Sequence, residues 1–292
     1  MNEKYVIEAN NISKEYKGFN LENVSFSLPK GYIMGLIGPN GSGKTTTIKT
    51  ILNLVKADSG EIYVFGKRNL ENREVILQNV GTVFDSHSFL PEWTADEINK
   101  IYSWFYTQWS QETFEKNLDR FSINKHKMVK DMSKGTQMKL MIACALSYDA
   151  KLLILDEPTS GLDPVARDGL IDILGRYVED GEHSVLFSTH ITSDLEKIAD
   201  YITFLLNGKL IYSGDKNSLQ EKYLKIKGNY KKLNNENKQY IIGMRLYEDN
   251  FEGLIETSQS NMFNGFYTEN TAIEDILVFM GRNKDERNME YC

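Results

Sequence analysis

Residues 32–47 read YIMGLIGPNGSGKTTT. The opening YIMGLIG is apolar throughout, as suits a strand buried on both faces. The continuation IKTILNLV reads as helix, placing one from about Gly43 to Val55. Between strand and helix stand Gly38, Gly41 and Gly43, followed by Lys44 and three threonines. Glycine and β-branched threonine disfavour a simple helix, so local propensity does not account for them. Gly38, Gly43, Lys44 and Thr45 fit the spacing G-x-x-x-x-G-K-S/T. Glycines let the backbone curl with its N–H groups turned inward. Those donors and the next helix's N-terminus make a positive cradle for phosphate. Asn40, Gly41 and Ser42 belong to the same curl. Lys44 would reach the β- and γ-phosphates, the Thr45 hydroxyl would take Mg²⁺, and Thr46 would add a phosphate contact.

Composition bounds the rest. The chain has 292 residues and a formal net charge of −7. That length allows one large domain plus an appendage. The acidic balance argues against broad nucleic-acid binding, which needs a basic face. Two cysteines, Cys144 and Cys292, have no paired spacing, which excludes a disulfide framework and suggests a reducing compartment. The N-terminal MNEKYVIEANNISKEY has no apolar signal core. No apolar run approaches the roughly 20 residues needed to span a bilayer, so any membrane span is expected from another chain.

Working outward, LENVSFSLPKG alternates at Val24, Phe26 and Leu28 and reads as a half-exposed strand. GEIYVFGK, VGTVF, KLLILDE and HSVLFSTH read as further strands. YITFLLNGKLIYSG reads as a hairpin, with Asn207-Gly208 suiting a type I′ turn. Strands alternating with helices predict an α/β fold, a mostly parallel sheet covered by helices. The stretch from about 86 to 150 breaks this rhythm, is helical in pattern and holds all three tryptophans, as an inserted helical subdomain would. In it Ile98, Ile101, Tyr102, Phe105 and Trp109 fall on one helical face, while Trp104 lies off it and Trp93 precedes it. From about residue 215 the composition shifts. KYLKIKGNYKKLNNENKQ reads as linker or loose surface, QYIIGMRLY as a strand, and TAIEDILVFM as a helix. Thr271 and Glu274 form the capping box of that helix; Ile273, Ile276, Leu277 and Met280 form its apolar face. The expected division is 1–214 and an accessory 215–292.

A second apolar strand, LLILDE, ends in two carboxylates. Buried charges need partners, so this ending is costly unless the acids are used. Asp156 would hold the Mg²⁺ shell, and Glu157 suits a general base for water; an acid pair satisfied by a helix N-terminus is the plainer alternative. His190 lies at the tip of a further core strand, and strand tips on one edge converge on the ligand site in open α/β sheets. His87, His126 and His183 read as surface groups.

Taken together, GPNGSGKTT, LLILDEP, MSKGTQ at 132–137, SGLD at 160–163 and STH at 188–190 resemble the ATP-binding subunits of ABC transporters over about residues 5–212. The resemblance implies a P-loop NTPase with a RecA-like mixed sheet, an antiparallel β subdomain and an inserted helical subdomain. It implies ATP and Mg²⁺ as cofactors, Tyr16 stacking on adenine, His190 as the switch histidine and Asp163 as the D-loop acid. Ser133 and Gly135 would meet the γ-phosphate of a second subunit, two subunits sandwiching two ATP molecules, with a homodimer sufficient. Ser133 also reads as the cap of the following helix. A separate multi-span transmembrane subunit would be the partner, placing the chain at the cytoplasmic face of the membrane. Two departures stand out: Lys134 and Thr136 replace the usual glycine and glutamine of the signature, and Asp85 takes the Q-loop glutamine's place as catalytic and metal-contacting residue. SKG signatures and FD Q-loops resemble the bacterial ABC-2-type exporter branch, including ATPases that export phenol-soluble modulins or bacteriocins. The alternatives are an ABC ATPase without transport and a weakly hydrolysing regulatory or self-immunity module.

Overall fold

The computed structural model describes residues 4–84 and 89–289. Two compact units divide between Ser213 and Gly214.

The first unit opens with two long strands, β1 (Tyr5–Tyr16) and β2 (Phe19–Pro29), paired antiparallel. Then come β3 (Ile33–Ile37), α1 (Lys44–Ile51), β4 (Ser59–Val64), β5 (Lys67–Arg68), α2 (Arg73–Leu77) and β6 (Val80–Val83). Three helices follow: α3 (Ala95–Phe105), α4 (Gln111–Arg120) and α5 (Lys134–Ala145). The chain returns through β7 (Leu152–Asp156), α6 (Pro164–Tyr177), β8 (Ser184–Thr189), α7 (Thr192–Ile198), β9 (Tyr201–Leu206) and β10 (Lys209–Asp215). These strands form one ten-stranded sheet, β5-β4-β1-β2-β10-β9-β3-β8-β7-β6. Strand β3 sits between β8 and β9, parallel to both, and β7 and β6 extend the parallel run. Every residue of β3, β7 and β8 is buried, which is why they read as continuous or nearly continuous apolar runs. Strands β1, β2, β4 and β5 form the antiparallel end. Its core continues into the parallel part: Ile7, Leu28, Met34, Leu36, Ile48 and Ile154 belong to one apolar cluster.

The predicted hairpin turn is present. Asn207 has φ 49° and Gly208 φ 75°, both left-handed, as a type I′ turn requires. A Cβ on Gly208 would stand 1.7 Å from the Asn20 carbonyl oxygen, so the position admits no side chain.

The second unit comprises α8 (Lys216–Lys222), β11 (Tyr223–Asn229), α9 (Asn235–Lys238), β12 (Ile242–Tyr247), β13 (Asn250–Glu256), β14 (Tyr267–Asn270) and α10 (Ile273–Met289). Its sheet runs β12-β13-β11-β14. Three expectations change here. The lysine-rich stretch read as a linker contains β11, an inner strand that buries Tyr223 and Ile226 while its lysines face Asp275 and Glu269. The Thr271–Glu274 capping box does not form. The Thr271 hydroxyl, buried, instead donates to the carbonyls of Gln220 and Tyr223, and the helix starts two residues later. The Ala272 N–H turns to Asp275 Oδ2 at 3.4 Å. Third, the apolar face of the helix holds Ile273, Ile276, Phe279 and Met280 in the core, whereas Leu277, expected there, is only half-buried.

Candidate functional site

Three loops meet at the carboxyl ends of β3, β7 and β8. Chain reversal after β3 begins at Gly38, and Gly43 (φ 107°) caps α1. A Cβ on Gly43 would fall 2.8 Å from Leu21 Cδ1 and 3.0 Å from the Phe19 ring, so the loop can lie against β2 only as glycine. Helix α1 has no side-chain cap and no acid in its first turn. The first N–H groups of a helix have no intrahelical acceptor, so this end presents a partial positive charge. Lys44 is buried along the loop. Its Nζ donates to the Gly38 carbonyl (2.9 Å) and lies 3.5 Å from Glu157 Oε1.

From β7 comes the carboxylate pair. Asp156, buried, accepts from the Thr45 hydroxyl at 2.8 Å and from the Ser188 hydroxyl at 2.5 Å. Glu157 adopts φ 53°, a left-handed conformation uncommon for a residue with a side chain and frequent at functional sites. Its N–H donates to the Ser188 carbonyl, and β8 thereby fixes the turn. The Glu157 carboxylate then lies between Lys44 Nζ and His190 Nδ1, 2.8 Å from the latter. A hydroxyl beside a buried carboxylate, and a second carboxylate beside a lysine and a histidine, are what polyphosphate chemistry uses: hard oxygen ligands for a divalent cation and a polarising group for water.

A cleft of about 480 Å³ joins these groups, lined by Gly18, Phe19, Asn40–Thr46, Asp156 and Glu157. Inside it Ser42 Oγ is buried without a hydrogen-bond partner among the described residues. A buried hydroxyl left unpaired is costly unless a ligand supplies the partner. The cradle therefore fits a phosphate, and Thr45 with Asp156 fits Mg²⁺.

The remaining sequence-predicted residues are distributed as follows. Tyr16 is exposed, with Lys14 Nζ 5.6 Å from its ring centre, and is not among the cleft-lining residues; the aromatic in the wall is Phe19, which sequence reasoning passed over. Its signal was its place opposite Tyr16 in the β1–β2 turn. Ser188, bonded to both Asp156 and the Glu157 N–H, was also missed, although STH was noted. Ser133 caps α5, its Oγ accepting from the Thr136 N–H at 3.2 Å, and Asp163 caps α6, accepting from the Val165 and Ala166 N–H groups. Gly135 and the SGLD loop are neighbours: a Cβ on Gly135 would lie 3.1 Å from the Gly161 carbonyl. None of Ser133, Gly135 and Asp163 lines the cleft of their own chain. Asp85 and His87 lie outside the described residues. Of the other histidines, exposed His126 pairs with Asp96. His183 is not a free surface group: it is largely buried between Asp180 (2.6 Å) and Asp149 (3.1 Å), against the Tyr177 ring.

A glycine-curled loop between an inner parallel strand and a helix, with the end of strand β7 delivering two carboxylates to it, defines a P-loop nucleoside triphosphatase. The family model for ABC transporters matches residues 21–160, from β2 past Glu157. Similar curated proteins include a bacitracin transport ATP-binding protein of Enterococcus faecalis, 33% identical over 71% of this chain and 68% of its own length. A lantibiotic transport ATP-binding protein of Streptococcus pyogenes is 34% identical over 73% of this chain and 93% of its own. A bacitracin transport ATP-binding protein of Bacillus licheniformis is 28% identical over 96% and 95%, thus spanning both units. Among solved structures, an ATP-binding subunit of an ABC transporter superposes with a TM-score of 0.68 at 29% identity, covering 74% of this chain and 92% of that one. A dimeric ATP-binding cassette bound to ADP and Pi shares the fold at a TM-score of 0.65 and 23% identity. The chain belongs to the ABC transporter family and is one of its ATPases. No helix among its described residues is long and apolar enough to cross a membrane.

Proposed function

We propose that the chain is the ATPase subunit of a bacterial exporter for amphipathic peptides, working as a dimer on the cytoplasmic side of a separate membrane subunit. The observation that carries the catalytic part is Glu157 between Lys44 and His190 at the phosphate cradle. Lys44 Nζ donates to the Gly38 carbonyl and pairs with Glu157. A triphosphate competes for that ammonium group, leaving Glu157 to face water. Thr45 and Asp156 would hold Mg²⁺, which would neutralise charge on the phosphates. The Glu157 carboxylate accepts a proton from the attacking water as the water oxygen bonds to the γ-phosphorus and the β–γ bridging bond breaks, leaving ADP and phosphate. His190, bonded to the same carboxylate, fixes its direction.

Ser133, Gly135 and Asp163 stand away from the cleft of their own chain, which supports their use on the ATP of a second copy, with Phe19 in the cleft wall and Tyr16, opposite it in the β1–β2 turn, available to stack on the base. The peptide cargo is inferred from relatives named for bacitracin and lantibiotic transport. Exposed Trp104 (80%) and Phe105 (68%) at the end of α3 offer the membrane subunit an aromatic surface. Phe105 was expected in the helical core; the helix ends there, so its side chain points past the packed face.

The experiment is Glu157→Gln. It should bind Mg²⁺-ATP, accumulate as dimer on a sizing column and hydrolyse about 10²–10⁴-fold more slowly. Turnover at the wild-type rate removes Glu157 from the role. Co-purification of a multi-span membrane protein, with ATPase stimulated by amphipathic peptide, tests the exporter reading.

A further inference from the structure

Between α6 and α7 lies an ion pair that the reaction chemistry does not use. Arg167 Nε donates to Asp194 Oδ1 at 2.6 Å, and its Nη2 donates to Ser193 Oγ at 2.7 Å. Asp194 is only 2% exposed, and its second oxygen, Oδ2, has no hydrogen-bond partner among the described residues. Pairing that leaves a buried carboxylate oxygen idle is incomplete, since charge buried in a low-dielectric interior is tolerated through full hydrogen bonding. Arginine matches a carboxylate best through two parallel bonds, yet here its second arm goes to a serine. A cleft of about 280 Å³, lined by Arg167, Asp168, Ser193, Asp194 and Lys197 among others, leaves the guanidinium room to turn.

Where the pair is attached matters more than its energy. Arg167 is one helical turn beyond Asp163, the α6 cap, and its N–H donates to the Asp163 carbonyl at 2.9 Å. Asp194 is four residues beyond His190, and its N–H donates to the Ile191 carbonyl in the first turn of α7. The pair therefore joins the loop assigned above to a second subunit with the histidine that directs Glu157. Of the four buried polar atoms without partners among the described residues, three lie in this machinery: Ser42 in the cradle, Thr159 just after Glu157, and Asp194.

We propose that Arg167, Ser193 and Asp194 form a coupling clamp, with Arg167 a positioning residue. Its two arrangements, one bond to Oδ1 with Ser193 held, or two bonds to both Asp194 oxygens with Ser193 released, transmit engagement of Asp163 by the second subunit to His190. This rests on the dimeric ATPase reading above. A shift of α6 then moves the first turn of α7, and the His190–Glu157 contact tightens only when the second subunit is seated. Hydrolysis is thereby made conditional on closure. The solvent-exposed Lys197–Asp168 bridge joins the same helices at the surface, where such pairs contribute little to rigidity.

The test uses the full chain. In the Glu157→Gln background, adding Asp194→Asn or Arg167→Lys should leave the ATP concentration for half-dimerisation within about two-fold, because the sandwich contacts are untouched. In the otherwise wild-type protein, Asp194→Asn should lower kcat about ten-fold with KM nearly unchanged, the pattern of lost positioning in the transition state. Arg167→Lys should retain more kcat than Arg167→Gln. Ser193→Ala, which removes one acceptor at the surface, should lower kcat about three-fold at an unchanged thermal midpoint. Combining Arg167→Met with Asp194→Leu should cost no more than the worse single change, as expected of residues acting as a unit. Unchanged kcat in folded Asp194→Asn and Ser193→Ala overturns the clamp, as does a loss of dimerisation in step with the loss of kcat. Should Asp194→Asn fail to fold, Ser193→Ala and Arg167→Lys decide alone. A wild-type chain that does not dimerise with ATP overturns the functional reading and the clamp with it, and is told apart because it fails before any substitution.

Discussion

The role proposed for Glu157 needs a fixed carboxylate, and Ser188 holds both Glu157 and its neighbour Asp156. Its hydroxyl donates to Asp156, and its oxygen atoms receive the Glu157 N–H. Ser188→Ala should therefore weaken Mg²⁺-dependent activity about 10–100-fold while the protein stays folded, as loss of an outer partner of a metal ligand does. The check is ATPase rate against Mg²⁺ concentration; an unchanged Mg²⁺ dependence would show that Asp156 is oriented without it. Asp163 makes a different prediction. The Ala166 N–H, with that of Val165, holds its carboxyl below the usual aspartate range. A group whose pKa is lowered on folding stabilises the fold above its unfolded value of about 3.9, and that contribution is lost as pH falls through the folded value. The stability difference between wild type and Asp163→Ala should be present at pH 7 and shrink below about pH 4, read as thermal midpoints across that range. At this scale the sequence was most informative where chemistry forces a residue type: Gly43, Lys44, Thr45, Asp156, Glu157 and His190 are all brought to one place. Ser188 and Phe19 were not legible because serine and phenylalanine on strands are ordinary. Only the pairing of β8 with β7 and of β2 with β1 gives them a role.

Elements were legible where burial is total or alternation is clean. Strands β3, β7 and β8 are apolar runs, and β2 keeps Leu21, Val24, Phe26 and Leu28 inward. β11 was hidden because its outward positions are lysines whose acidic partners lie far along the chain, so its composition imitates a linker. The α10 cap was misread because Thr271 satisfies two carbonyls of another segment in preference to its own helix, a tertiary override of a local motif. Helix α3 shows both outcomes. Its predicted inner face holds buried Ile98, and Tyr102 stacks on Tyr106 at 5.3 Å, while Trp109 bonds Asn99 through its indole N–H. Thr94 and Glu97 form a reciprocal capping box at its start. Its far end leaves Trp104 in solvent, where a large apolar ring gains nothing from this chain. Trp104→Ala should shift stability by no more than about 0.5 kcal/mol, the usual range for surface changes, and leave basal ATPase intact. Stimulation by the membrane subunit should fall. Stimulation preserved at the wild-type level would free this helix end from partner contact.

On the scale of the whole molecule, each of the two units has an apolar cluster of its own among the described residues. One gathers β1–β4, β6–β9 and α1, with members such as Ile7, Leu28 and Ile154; the other gathers Ile226, Ile241, Phe251, Ile255 and Phe263. They share no residue, and the boundary expected at 214/215 is one residue from the division between Ser213 and Gly214. A chain of two compact units need not unfold in one step, because two-state behaviour belongs to single cooperative units. The phosphate cradle lies wholly in the first unit. Ligand that binds only the folded form stabilises it by RT ln(1 + [L]/Kd), about 2.7 kcal/mol at a hundred-fold excess over Kd. Calorimetry of the full chain should accordingly show two transitions, with Mg²⁺-ATP added to the Glu157→Gln protein raising one and leaving the other in place. The transition that moves should be abolished as an ATP response by Lys44→Ala, which removes the cradle's cation without touching the second core. A single transition that rises as a whole with nucleotide would mean that residues 214–292 unfold with the ATP-binding unit. The accessory unit would then have to be understood as part of the nucleotide-responsive body.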